Sequence, residues 1–278
     1  MLQFLTRSVA ALPLPVVHAV GALLGWLVYF ASPTYRRNLR ENMARAGYHD
    51  AAIRRAAISA AGELVAEIPA IWFRPRDALL PLVRQIHGEA YVDAARAAGK
   101  GIVFLTAHLG CFEITAQLAG AHMPITVLYR APKQAFLQPL IDGGRAQHNV
   151  RLAPANVSGV RELIAALKRG EAVGILPDQV PSRGEGEWAE LFGHPAYTMT
   201  LAARLAARAD AVTLLAFGER LPRGAGYVVH VWPMPERQAD ESPGRWLNRA
   251  VEELIRAKPA QYLWGYNRYK VPRGAVRP

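Results

Sequence analysis

Apolar positions alternate between two periods along this chain. Short runs of four to six apolar residues are separated by longer stretches with apolar residues at helical spacing. The runs predict strands at 102–106, 125–129, 150–152, 171–176, 211–217 and 227–232, with a short one opening at Val83. The helical pattern predicts helices at 51–73, 91–98, 112–120, 134–147, 158–169, 198–208 and 243–257. Strand and helix alternating in this way imply an α/β fold, a mixed, mainly parallel central sheet flanked by helices. The stretch from Val180 to Pro195, rich in glycine and charge, reads as a long loop.

The N-terminal part breaks this alternation. From Ser8 to Tyr35 there is no Asp, Glu, Lys or Arg. Val9 to Phe30 is long enough to reach across a hydrocarbon layer of about 30 Å. Pro13, Pro15 and His18 argue against a straight spanning helix and leave an oblique or interfacial anchor open. Trp26 and Tyr29 suit a head-group boundary, and Arg36, Arg37 and Arg40 follow at once. That charge asymmetry predicts a main domain on the cytoplasmic side, and no small-x-small cleavage pattern precedes the basic cluster. A core helix of a soluble protein is the other reading of the same segment. Residues 1–35 are therefore read as a membrane anchor and 36–278 as one α/β domain.

Composition narrows the partner. The 278 residues carry a formal charge of +11, which favours anionic surfaces: nucleic acid, acidic proteins or phosphate head groups. One cysteine excludes an intrachain disulfide and a cysteine-based zinc cluster. No zinc-ligand framework or RNA-binding signature accompanies the charge, and the apolar N-terminus favours lipid over nucleic acid.

Candidate chemistry gathers at strand ends, where open α/β sheets bind ligands. Strand 102–106 runs into Ala107-His108-Leu109-Gly110-Cys111-Phe112-Glu113. Histidine takes a proton near neutral pH, and a carboxylate on its far nitrogen fixes the tautomer. His108 and Glu113 are the expected pair, a general base with its orienting acid. Arg130 follows strand 125–129, Arg145 lies in the next helix, and Asp178 and Gln179 follow the apolar run that ends at Pro177. Each has a plain structural alternative, and their shared placement at strand ends is the argument. Cys111 beside His108 raises a thiol route; a cysteine in an apolar helix start is more often structural.

His108-Leu-Gly-Cys-Phe-Glu113 resembles the His-x4-Asp/Glu motif of glycerolipid-type acyltransferases. The whole arrangement resembles the lipid A biosynthesis lauroyl/myristoyl acyltransferase family. Leu128-Tyr-Arg-Ala-Pro132, Arg145, Ile175-Leu-Pro-Asp-Gln179, Leu191-Phe-Gly-His-Pro-Ala-Tyr-Thr198 and Gln261-Tyr-Leu-Trp-Gly-Tyr-Asn-Arg-Tyr-Lys270 follow in the family's order, from about residue 15 to 270. The family commonly has Asn-Trp where this chain has Cys111-Phe112, a change beside the site that bears on acceptor or acyl-chain preference.

The resemblance implies an O-acyltransferase. A lipid hydroxyl attacks an acyl thioester on acyl carrier protein or coenzyme A, with His108 as base and Glu113 holding the imidazole. Arg130 and Arg145 would bind acceptor phosphate or help orient the site, Asp178 would position the acceptor or support the site from behind, and Gln179 would bind substrate. The oxyanion falls to backbone N–H groups at the start of helix 112–120 or to Arg145. No metal or cofactor is expected. The implied partners are the acyl donor, an anionic glycolipid acceptor and membrane lipids, at the cytoplasmic face of the inner membrane. A lysophospholipid or another glycolipid is the rival acceptor.

Overall fold

The computed structural model describes all residues except 1–9, 133, 135–137, 148, 209 and 277–278. Seven strands form one sheet in the order β1-β9-β8-β2-β5-β3-β4. They are β1 (Val83–His87), β2 (Gly101–Leu105), β3 (Ile125–Tyr129), β4 (Val150–Pro154), β5 (Ala172–Ile175), β8 (Ala211–Arg220) and β9 (Tyr227–Pro233). Only the β8–β9 pairing is antiparallel. β2, β5 and β8 are apolar along almost their whole length because both faces are covered. On one face Val103, Leu105, Val173 and Phe217 join the core with α7 (Val157–Lys168), α8 (Thr200–Ala206) and α9 (Pro243–Ala257). On the other, Ile102, Val127 and Ala216 meet α4 (Glu89–Ala97) and α5 (Phe112–His122).

The region 180–195 departs from the expected loop. β6 (Gly186–Leu191) and β7 (His194–Met199) form a separate antiparallel hairpin. Its two-residue turn, Phe192-Gly193, holds both residues at positive φ, +50° and +73°. That conformation matches the twist of paired strands. The alternation of Trp188, Ala189, Glu190 and Leu191 was masked by flanking glycines and charge. Asn248 of α9 donates to the carbonyls of Ala189 and Glu190 and so docks the hairpin on the body. The predicted helix 134–147 is described from Gln138 to Arg145, as α6; part of its predicted start lies outside the described residues.

The N-terminal apolar segment is α1 (Leu14–Ala31), which starts after Pro13. Pro15 falls in its first turn, where a missing N–H costs nothing. One face of α1 (Val17, His18, Gly21, Gly25) lies against α3 (Ala51–Phe73). The axes approach closely because the contact is glycine on glycine: a Cβ at Gly62 would lie 2.0 Å from the Gly21 carbonyl oxygen. Beneath this contact is a buried polar cluster. The Glu67 carboxylate accepts from His18 Nε2 at 3.0 Å, from Arg220 Nη2 at 2.5 Å and from the Tyr227 hydroxyl at 2.9 Å. α2 (Pro33–Arg45) follows, capped by the Ser32 hydroxyl. Its Asn42 donates to the carbonyls of Trp264 and Tyr266.

Candidate active site

β2 and β5 are neighbours and parallel, with Leu105 opposite Ile175. Three residues past those ends come His108 and Asp178, so strand register alone sets them side by side. Asp178 grips the histidine twice. Its Oδ1 lies 2.9 Å from His108 Nδ1, and its Oδ2 accepts the His108 backbone N–H at 3.0 Å. Asp178 is buried, which by itself pushes its pKa up; the His108 charge and hydrogen bonds outweigh this and hold it below the usual aspartate value.

His108 Nε2 faces the Gln179 side-chain amide at 3.2 Å. The Asp178 carboxylate only accepts, so Nδ1 carries the proton; in the neutral ring Nε2 is then the acceptor, and the Gln179 amide is its donor. This is the tautomer of a general base. The ring edge meets Phe112, with centroids 5.1 Å apart.

The loop that carries His108 is pinned from behind. Gly110 has φ +55°, and a Cβ there would lie 2.1 Å from the Gly218 carbonyl oxygen, so only glycine fits. Gly110 N–H donates to the Gln261 carbonyl, Cys111 N–H to the Gly218 carbonyl, and Leu263 N–H to the His108 carbonyl. The aromatic C-terminal segment is thus the brace of the histidine loop. Tyr266 accepts the Val180 N–H at 3.0 Å. The buried Tyr262 phenol is pushed well up by burial and by the Asp178 charge beside it.

Glu113 is not the partner of His108. It sits in the first turn of α5, buried, and its carboxylate accepts from Trp72 Nε1 at 3.0 Å and Arg145 Nε at 3.0 Å. Arg145 Nη2 completes a two-point pair with Glu113 at 2.9 Å. The helix start turns Glu113 away from the β2–β5 edge and toward α3 and α6. Spacing along the chain suggested one dyad; the structure contains two, His108–Asp178 and Glu113–Arg145. Arg130 is exposed just beyond the end of β3. Trp72 reads in the sequence as a core or membrane-facing residue, because nothing local ties it to a carboxylate 41 residues away.

An apolar cleft, open to solvent at its mouth, runs between the sheet and helices α4 and α5. Thr106, Phe112 and Arg145 line it near the histidine loop, and Phe104, Val127, Gly174, Ala216 and Val229 line it along the sheet. Cys111 does not line it. The thiol is buried and its pKa stands well above the usual value, raised first by burial and then by the nearby Glu67 charge. A thiolate nucleophile has no support in that setting.

Comparison with known proteins places this arrangement. The chain is 26% identical over 278 residues to the lipid A biosynthesis lauroyltransferase of Escherichia coli K12, covering 96% of this chain and 89% of that protein. It is 26% identical over 272 residues to the palmitoleoyltransferase of the same organism, covering 93% and 86%. A lipid A biosynthesis acyltransferase of Haemophilus influenzae is 24% identical over 276 residues, covering 95% and 87%. A profile of the family described as bacterial lipid A biosynthesis acyltransferase matches residues 1–271. With that match running across the histidine loop, the cleft and the C-terminal brace, the chain belongs to the bacterial lipid A biosynthesis acyltransferase family.

Proposed function

We propose that this chain moves a fatty acyl group from a thioester, on acyl carrier protein or coenzyme A, to a hydroxyl of a lipid A precursor. The observation that carries this reading is a histidine whose Nδ1 is held by Asp178 and whose ring packs on Phe112, a residue that lines an apolar cleft. The acyl chain lies in the cleft, with its thioester carbon near His108. The lipid hydroxyl gives its proton to His108 Nε2 as its oxygen attacks the thioester carbon. Asp178 stabilises the imidazolium that forms. The collapsing tetrahedral intermediate expels the thiolate, which recovers the proton from the imidazolium. The chemistry calls for no metal or organic cofactor.

Arg145, fixed by Glu113, stands at the cleft with its guanidinium oriented. It suits an acceptor phosphate or the oxyanion, and the exposed Arg130 suits an anionic head group. The backbone N–H groups that open α5 are the other donors for the oxyanion. The +11 charge would draw both an acidic carrier protein and an anionic acceptor.

Purified protein given acyl carrier thioesters of graded length and a phosphorylated glucosamine-disaccharide lipid should yield a product heavier by one acyl group, read by mass spectrometry. Acylation only of a lysophospholipid would keep the chemistry and move the acceptor. Gly174 sets a further expectation. It faces the middle of the cleft, and a Cβ there would sit in ordinary contact, 3.4 Å from Val127 Cγ2. Gly174→Leu should therefore fold, obstruct the cleft and shift the preferred donor to shorter chains. An unchanged length profile would remove the acyl chain from this cleft.

The membrane surface is α1. Its face away from α3 exposes Val20 (49%), Leu23 (70%), Leu27 (60%) and Phe30 (65%), with Val65 of α3 (62%) also bare. Because α3 occupies the opposite face, α1 lies along the lipid surface as part of the body instead of crossing alone. Arg37 and Arg40, exposed on α2, follow for anionic head groups. On this reading the site works at the cytoplasmic face of the inner membrane, the side to which the basic cluster after α1 points. Leu23→Asp with Leu27→Asp should move the protein from the membrane to the soluble fraction with its melting temperature preserved. Retention on membranes would require another lipid-binding face.

A further inference from the structure

We infer that Gln179 is a positioning residue that keeps the base of the resting enzyme occupied, so that His108 activates the lipid hydroxyl and not water. The inference rests on the acyl-transfer reading above. His108 Nδ1 is committed to Asp178 at 2.9 Å, which leaves Nε2 as the nitrogen that must take the proton. The lone pair of Nε2 already accepts the Gln179 amide N–H at 3.2 Å. Any hydroxyl that approaches the base must first displace that amide.

The backbone around Gln179 is not free to yield. The Asp178 carboxylate is fixed to the His108 N–H, and the Val180 N–H to the Tyr266 hydroxyl. The half-buried Gln179 side chain is the element that swings. Phe112 covers the ring edge, so the amide stands on the polar approach to Nε2.

A capped base matters because a seated thioester is open to hydrolysis. Water would lose a proton to Nε2, its oxygen would bond the thioester carbon, and the C–S bond would break. The thiolate would then take the proton back from the imidazolium, leaving free fatty acid and free thiol. A glycolipid acceptor brings several polar groups and can give the displaced amide a new partner as its hydroxyl takes the lone pair. A single water molecule must replace the same hydrogen bond with fewer partners. The cap therefore penalises water more than the acceptor. Gln179 itself transfers no proton.

The test uses the full chain in detergent micelles, with an acyl carrier thioester and with acyl-coenzyme A. Free fatty acid and acylated acceptor are measured with and without a phosphorylated glucosamine-disaccharide lipid. Gln179→Ala should raise hydrolysis without acceptor about fivefold, the equilibrium weight of one ordinary hydrogen bond. The ratio of hydrolysis to transfer should rise with it, while KM for the thioester stays unchanged. Should Gln179→Ala fail to fold, Gln179→Met, of nearly the same length and without an amide, is read in the same way. A variant whose ratio equals that of the wild type, or whose two rates fall together, overturns the inference alone. A wild type that uses neither thioester overturns this inference and the acyl-transfer reading together.

Discussion

Replacing His108 by Ala should lower the rate of acyl transfer by about a hundred- to ten-thousandfold, the range for loss of a positioned general base. The fold should survive, since the imidazole is part-exposed and its loop is held through backbone groups. Asp178→Asn should cause a comparable loss by a different route. The asparagine amide can turn its N–H toward Nδ1, which moves the ring proton to Nε2 and removes the base. Its melting temperature would separate this effect from loss of the bond to the His108 N–H. Glu113→Gln should behave differently. It loosens Arg145 and Trp72 and leaves the His108–Asp178 pair untouched, so it should raise KM for the anionic substrate that Arg145 binds. A Glu113 variant with normal KM and the kcat loss of Asp178→Asn would restore Glu113 as the partner of the base. Steady-state kinetics on the three variants decides between these assignments.

Glu67→Ala should destabilise the fold by about 3–5 kcal/mol, the cost of breaking a buried ion pair from one side. Arg220 is 3% exposed, and Glu67 provides its two close contacts, at Nε and Nη2. Glu63 pairs with Nη1 at 3.6 Å without a hydrogen bond, and replaces neither contact. His18 and the Tyr227 hydroxyl would lose the same acceptor. Replacing Glu67 and Arg220 together by apolar residues should recover much of the loss, because no buried charge is left unpaired. Denaturant unfolding of the single and double variants measures this directly.

The same cluster predicts the acid response. Burial alone would raise the Glu67 pKa, but Arg220 and His18 outweigh it and bring the group down to about 2, from an ordinary 4.5. A carboxylate depressed on folding contributes stability that is complete above its ordinary pKa and is lost as pH falls through its folded value. The attachment of α1 to the body should therefore weaken progressively below about pH 4.5 and fail near pH 2. Proteolysis of the α1 segment, or its hydrogen exchange, across that window would report it. Release of α1 at mildly acidic pH, with the carboxylates still ionised, would contradict this account.

Much of the site was legible because strand ends in a parallel sheet collect chemistry. His108, Asp178 and Gln179 were each marked by an apolar run that stops at a polar residue, and they do meet. Their roles were not legible. A sequence shows the five-residue separation of His108 and Glu113, which invites a local pair. It does not show that β5 lies beside β2, although 70 residues separate His108 from Asp178. The hairpin at 186–199 was lost for a related reason. Its strands are short, β6 carries two glutamates and β7 a proline, and their burial comes from α9, far along the chain. The N-terminal segment was correctly read as apolar and helical, but its two faces look alike in sequence. Only the glycine contact and the buried His18–Glu67 pair distinguish the face that meets protein from the face left exposed.

By itself the sequence determined the α/β class, most elements, the apolar N-terminal segment, the basic charge and the residues from which the candidate site is built. These depend on local periodicity and residue chemistry, which a linear chain carries in full. The tertiary structure alone decided which carboxylate meets His108, which side chain faces its other ring nitrogen, where the apolar cleft runs and which face of α1 is exposed. Those choices follow from strand order and helix packing. They bring together groups far apart in the chain, and no local pattern encodes that proximity.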